Sequence, residues 1–116
     1  NNRYKDMVLV AIDYMEKNYA DEQLSLSIIA EKVYLSSSHF EKVFKDITGK
    51  SAIDYLNSIR MEKAKLLLKD SNLKIETIAE KVGYQTSKGF IRAFKKYENN
   101  TPGQYRHNLL ANLEKI

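Results

Sequence analysis

The chain has 116 residues with 19 Lys+Arg against 15 Asp+Glu, a formal charge of +4, which is room for one domain or two very small subdomains. It contains no cysteine, four glycines and one proline. Disulfide frameworks, zinc fingers, iron–sulfur centres and thiol catalysis are thereby excluded, and little material remains for glycine-rich phosphate loops or a turn-dense β-barrel.

Apolar spacing is helical nearly everywhere. Met7, Val8, Ala11, Ile12 and Met15 form one stripe, which predicts a first helix over roughly 4–18. Ser25 suits the cap of a short helix carrying Ile28, Ile29 and Val33, although Ile28 stands where a capping box would need Glu or Gln. A third helix starts in the cluster Ser36–Ser38, carries Phe40, Val43 and Phe44, and ends at Gly49 as a C-cap. From about Ala52 to Lys69 there is neither proline nor glycine, and one continuous helix is expected, broken by Asp70-Ser71-Asn72. Short helices follow at about Ile75–Lys81 and Ser87–Tyr97, and Pro102 opens a closing helix through Leu113. The fold class expected is all-α, with seven helices.

The two halves repeat. Ile29-Ala30-Glu31-Lys32-Val33 recurs as Ile78-Ala79-Glu80-Lys81-Val82, 49 residues on, and Phe40, Phe44 and Lys45 recur as Phe90, Phe94 and Lys95, 50 residues on. Lys50-Ser51-Ala52 matches Asn100-Thr101-Pro102, and Tyr55 matches Tyr105. This is an internal duplication, and neither the spacing nor the number of copies suits a solenoid. Each unit reads as a short helix, a tight turn and a second helix with an apolar back and a polar front, the layout of a helix-turn-helix. The organisation expected is 1–51 for the first helix and first helix-turn-helix, 52–69 for the connecting helix, and 70–116 for the second helix-turn-helix and closing helix. An eighteen-residue connector spans about 27 Å, so two reading helices could stand about one DNA turn, roughly 34 Å, apart.

A reading helix buries one face and presents short or charged side chains from its N-terminal half. With Phe40, Val43 and Phe44 buried, the outward set of the first unit is Ser37, Ser38, Glu41, Lys42 and Lys45. With Phe90 and Phe94 buried, that of the second is Ser87, Lys88, Ile91, Arg92, Lys95 and Lys96. Arg92 suits a guanine edge, which its planar fork can meet twice; Lys42 is its counterpart, Glu41 suits a cytosine amine and Ile91 a thymine methyl. Lys45, Lys95 and Lys96 suit phosphates near the helix ends. Charge is local: Lys88, Arg92, Lys95, Lys96 and Arg106 face Glu98 alone between 85 and 107, and Arg60, Lys63, Lys65, Lys69 and Lys74 face Glu62 and Asp70 between 60 and 74. Lysines on helices are more often simply the solvated face, so the cluster carries the argument rather than any one of them.

Other chemistry finds no support. His39 and His107 have no partners at metal spacing, no Ser/His/Asp constellation can be read, and neither enzymatic activity nor a cofactor is expected. The longest early apolar run, Met7 to Ile12, has six residues and stops at Asp13, so no membrane partner is expected; the missing cysteines fit the cytoplasm, which is the expected setting. The chain opens on Asn1 rather than Met, as a piece of a longer protein would.

These residues give the chain a specific resemblance. Ile75 through Tyr84, then Phe90-Ile-Arg92-Ala-Phe94-Lys95-Lys96, then Thr101-Pro102-Gly-Gln-Tyr105-Arg106, together with Arg60-Met-Glu-Lys-Ala64-Lys-Leu66-Leu67, are similar in order and type to the DNA-binding domain of the AraC/XylS family of bacterial transcription regulators. The similarity covers about residues 8–107. It implies two helix-turn-helix subdomains joined by a long central helix, entering successive major-groove segments of double-stranded DNA, with base contacts from Ser37, Ser38, Glu41, Lys42, Ser87, Lys88, Ile91 and Arg92. Three positions depart from the family pattern. Gly89 stands where a larger residue is common before the core phenylalanine, Asn99 replaces a glycine before Thr101-Pro102 with a residue that also tolerates the left-handed conformation, and Tyr34 takes the place of the first-unit glycine, where it is common and changes little. The sequence also resembles the C-terminal output domains of two-component regulators, in which a receiver or sensory domain lies elsewhere in the full-length protein. The alternative is a protein-interaction module docking on RNA polymerase or on its own regulatory domain. Structured-RNA binding would need stacking aromatics, whereas most of the tyrosines are expected on core-facing stripes.

Overall fold

The computed structural model describes residues 2–70 and 72–115; Ser71, within the expected helix break, lies outside the described residues. Among these the chain forms seven helices and no strand: α1 (Asn2–Asn18), α2 (Leu26–Lys32), α3 (Ser37–Thr48), α4 (Ala52–Asp70), α5 (Ile75–Lys81), α6 (Ser87–Glu98) and α7 (Pro102–Glu114). The chain divides into two compact units, Asn1–Ile59 and Arg60–Ile116, so α4 contributes 52–59 to the first and its remainder to the second.

In the first unit the predicted stripes close on one another. Val8, Ala11 and Met15 of α1, Ile29 and Ala30 of α2, and Phe40, Val43 and Phe44 of α3 are buried together with Leu24, Val33, Ala52, Leu56 and Ile59. The caps explain the helix starts. Ser25 accepts the Ile28 N–H and Ser36 accepts the His39 N–H, while Gly49 at φ 82° ends α3 in the left-handed conformation. Tyr4 of α1 meets His39 of α3 edge-on at 5.6 Å, its hydroxyl 3.4 Å from His39 Nε2. Aromatic packing sets the depth of α3, with Phe40 against Phe44 at 5.5 Å and Phe44 edge-on to Tyr55 at 5.4 Å.

The second unit repeats this plan. Met61, Ala64, Leu68, Ile78, Ala79, Val82, Phe90, Phe94 and Pro102 are buried. Phe90 packs on Phe94 at 5.8 Å and Phe94 stacks on Tyr105 at 5.6 Å, the positions of Phe40, Phe44 and Tyr55 one repeat later. Thr86 caps α6 through Gly89 N–H, and Thr101 with Gln104 makes a full capping box on α7. Asn99, at φ 69°, adopts the left-handed conformation expected of it.

The step from a 49- to a 50-residue spacing has a structural address. Leu35 N–H bonds the Ala30 carbonyl and Tyr84 N–H bonds the Ala79 carbonyl, so the two turns match up to Leu35 and Tyr84. The N-caps then come at Ser36 and Thr86, which leaves Gln85 as the extra residue of the second turn. Tyrosine placement departs from the sequence expectation at Tyr34, which is 94% exposed, and at Tyr97, which is 41% exposed. Tyr34 sits at φ 60° where the second unit has Gly83 at φ 99°, and that backbone turns its ring away from the core.

Candidate nucleic-acid interface

Within each unit the outward face of the second helix-turn-helix helix is continuous. On α3, Ser38, Lys42 and Lys45 follow i, i+4, i+7 spacing and all are exposed; Ser37 and Glu41 beside them are half-buried. On α6, Lys88, Ile91, Arg92, Lys95 and Lys96 are exposed and Ser87 is half-buried. Among the described residues no ion pair engages Lys42, Lys45, Lys88, Arg92, Lys95 or Lys96. Their charges are therefore available to phosphates or base edges.

These helices are fastened to α4 by side chains that sequence reasoning assigned elsewhere or missed. Glu41 reaches from α3 to the start of α4, where its Oε1 accepts the Ala52 N–H at 3.0 Å. In the second unit a polar clamp joins α6 to α4. Tyr97 donates its hydroxyl to Glu62 Oε2 at 2.9 Å, and Lys65 Nζ lies 3.4 Å from the same oxygen and 3.3 Å from Glu98 Oε2. Burial opposes the Lys65 charge, but the hydrogen bond to Glu98 and the fields of Glu62 and Glu98 outweigh it and raise its pKa above the usual lysine value. Burial, then the hydrogen bond to Glu62, raises that of Tyr97. Partial burial likewise raises Tyr84, against the opposing field of Arg60.

Two arginines counted in the basic clusters prove to be internal fastenings. Arg60 is only 7% exposed and places its guanidinium 5.6 Å from the Tyr84 ring centre. Arg106 donates Nη1 to the Leu73 carbonyl at 2.7 Å and Nε to that of Leu68 at 3.2 Å, closing the unpaired end of α4. The local positive charge is thus carried outward by lysines and Arg92. Net charge does not distinguish the two uses of arginine; Arg60 lies at i−4 from buried Ala64 on the apolar stripe, and that position was the available signal.

No group of three or more His, Cys, Asp or Glu side chains is placed to hold a metal ion among the described residues, and no described helix is long and apolar enough to cross a membrane.

Two small helix-turn-helix units, each with a solvated outward face on its second helix, basic on α6 and charge-balanced on α3, define a DNA-binding module of the transcription-regulator class. The match to known proteins agrees: residues 29–108 fit the family model described as a helix-turn-helix domain. The C-terminal domain of AraT, a response regulator from Geobacillus stearothermophilus, is 39% identical, with a TM-score of 0.86 over 88% of this chain and 84% of that one. The C-terminal domain of the two-component response regulator yesN from Fusobacterium nucleatum is 44% identical, with a TM-score of 0.82 over 88% and 96%. The HTH-type transcriptional regulator YtdP of Bacillus subtilis is 37% identical over 86 residues, which is 74% of this chain and 11% of that protein. The chain belongs to the helix-turn-helix family of transcription-regulator DNA-binding domains, homologous to response-regulator C-terminal domains and to those of AraC/XylS type. It spans about a tenth of the length of such a curated relative.

Proposed function

We propose that the chain binds double-stranded DNA in a sequence-specific manner as the output domain of a larger transcription regulator, using α3 and α6 as reading helices in two major-groove segments. The observation that carries this reading is the recurrence, on both helices, of an exposed face led by Ser38 and Lys42 in one unit and by Lys88, Ile91 and Arg92 in the other. Ser37 and Ser87 contribute short hydroxyls at the helix starts, and Lys45, Lys95 and Lys96 hold phosphates. Glu41 stands on the reading face and takes part through its hold on Ala52. Arg92 donates both arms of its fork to one guanine. A receiver or sensory domain in the remainder of the regulator supplies the signal, a reading supported by the likeness to two response-regulator C-terminal domains.

Titration of the domain against promoter fragments over a salt series tests this. Specific binding survives competitor DNA, and its log affinity falls linearly with log salt, by about 0.9 for each phosphate contact. Replacing Lys95 by Ala lowers that slope by about 1 without altering sequence preference. Arg92→Ala loses about 1–3 kcal/mol, concentrated at one base-pair position. Equal affinity for every fragment and for random duplex at all salt concentrations contradicts the proposal.

A second reading, a protein-interaction module docking on RNA polymerase or on its own regulatory domain, is favoured by Leu9 and Val10, which stand 63% and 53% exposed on α1. Replacing both by Ser then lowers promoter activation while leaving DNA affinity unchanged; unchanged activation dismisses it.

A further inference from the structure

The two units start their closing helices differently. The first N–H groups of a helix have no partner within it, and a buried one left unpaired is costly. In the first unit that donor is the N–H of Ala52, a fully buried residue, and Glu41 Oε1 accepts it at 3.0 Å. Ser51 Oγ accepts the Asp54 N–H at 3.1 Å, just as Thr101 Oγ1 accepts that of Gln104 at 3.2 Å. In the second unit Pro102, equally buried, replaces Ala52 and carries no N–H at all. The counterpart of Glu41 there is Ile91, which is 37% exposed and has nothing to cap. The acceptor is present where the donor is present and absent where proline has removed it.

We infer that Glu41 is a positioning residue for recognition by the first unit. Its carboxylate fastens the reading helix α3 to the start of α4, fixing the rotation and depth at which Ser38 and Lys42 are presented. Ile91, released from that task by Pro102, is the one of the pair that meets a base, through a methyl contact. This rests on the DNA-reading function proposed above. It assigns different duties to equivalent positions of a duplicated fold: one aims its helix and the other reads.

The test is a cycle in the 116-residue chain comprising Glu41→Ala, Glu41→Gln, Ala52→Pro and the Glu41→Ala/Ala52→Pro double variant. Each is followed by its thermal midpoint and by competition with duplexes singly substituted along the site that the unaltered chain selects. Glu41→Ala should lower the midpoint by about 5 °C and weaken binding about tenfold, the loss spread over every base pair of the first unit's block. Glu41→Gln, whose amide oxygen still accepts from Ala52, should stay within about twofold of the unaltered chain. In the Ala52→Pro background, with the donor gone, Glu41→Ala should change neither readout. Relaxed preference at one base pair alone, equal in both backgrounds, would make Glu41 a base reader and overturn the inference. If Ala52→Pro does not fold, the Gln and Ala variants decide, and equal losses from the two overturn it as well. Absence of any selected site for the unaltered chain removes the DNA-reading proposal and this inference together; a selected site without coupling removes the inference alone.

Discussion

Tyr34 is the most exposed of the large hydrophobic side chains among the described residues and sits at φ 60°, a conformation that an L side chain occupies only at a cost. The second unit solves the same turn with Gly83 at φ 99°. Tyr34→Gly should therefore raise stability by about 1 kcal/mol, read from chemical denaturation, and a loss would mean that the ring holds the turn. Gly49 at φ 82° is the converse case, where Gly49→Ala should cost about 1 kcal/mol with nothing lost from packing, since no atom lies within 4 Å of the added methyl. The left-handed Asn99 was legible because asparagine is known to tolerate that region. For Tyr34 the sign lay in the repeat, which sets it 49 residues before Gly83 at the glycine position of the turn, and not in the tyrosine itself. Glu41 was opaque: its partner is a backbone N–H eleven residues away, and no side-chain pattern marks a backbone donor.

Among the elements, α3 and α6 share their aromatic backs but differ in what holds their far ends. The far end of α6 depends on Tyr97, Glu62, Lys65 and Glu98, whereas the positions matching Tyr97 and Glu98 on α3 are Ile47 and Thr48. The sign of its pH dependence follows from the raised values of Lys65, Tyr84 and Tyr97. Each keeps its proton longer in the folded state, so the associated stability is fully present below the ordinary values of 10.0 and 10.5 and is lost as pH rises through the higher folded ones. Stability of the second unit in denaturant unfolding should fall at these alkaline pH values, and Tyr97→Phe should flatten that dependence. An unchanged profile in the variant would show that the clamp does not hold α6. The shared aromatic back predicts a larger effect: Phe90→Ala should destabilise by about 3–5 kcal/mol in denaturant unfolding. Helix positions and caps were readable from apolar period and from Ser25, Ser36 and Pro102, because they depend on neighbours within a turn or two. The clamp was not, since Tyr97 and Glu62 are 35 residues apart, Glu62 looks like ordinary helix surface and Tyr97 like a core-facing tyrosine.

At the level of the whole molecule, the duplication was the most legible feature, and it survives in matched phenylalanine pairs, matched tyrosines and matched cap positions. The one-residue change of spacing became interpretable only when the turn hydrogen bonds assigned it to Gln85. Net charge needed more revision. The total of +4 counts Arg60 and Arg106, which serve a ring and two backbone carbonyls, so the outward charge of the second unit depends on the lysines and Arg92. The central claim is that both units of this domain read DNA sequence, and selection of bound sequences from a random duplex pool at moderate salt tests it most directly. The account predicts two short enriched blocks, with Arg92→Ala erasing preference in one block and leaving the other intact. A pool that remains random after successive rounds, or enrichment that Arg92→Ala does not touch, would contradict it.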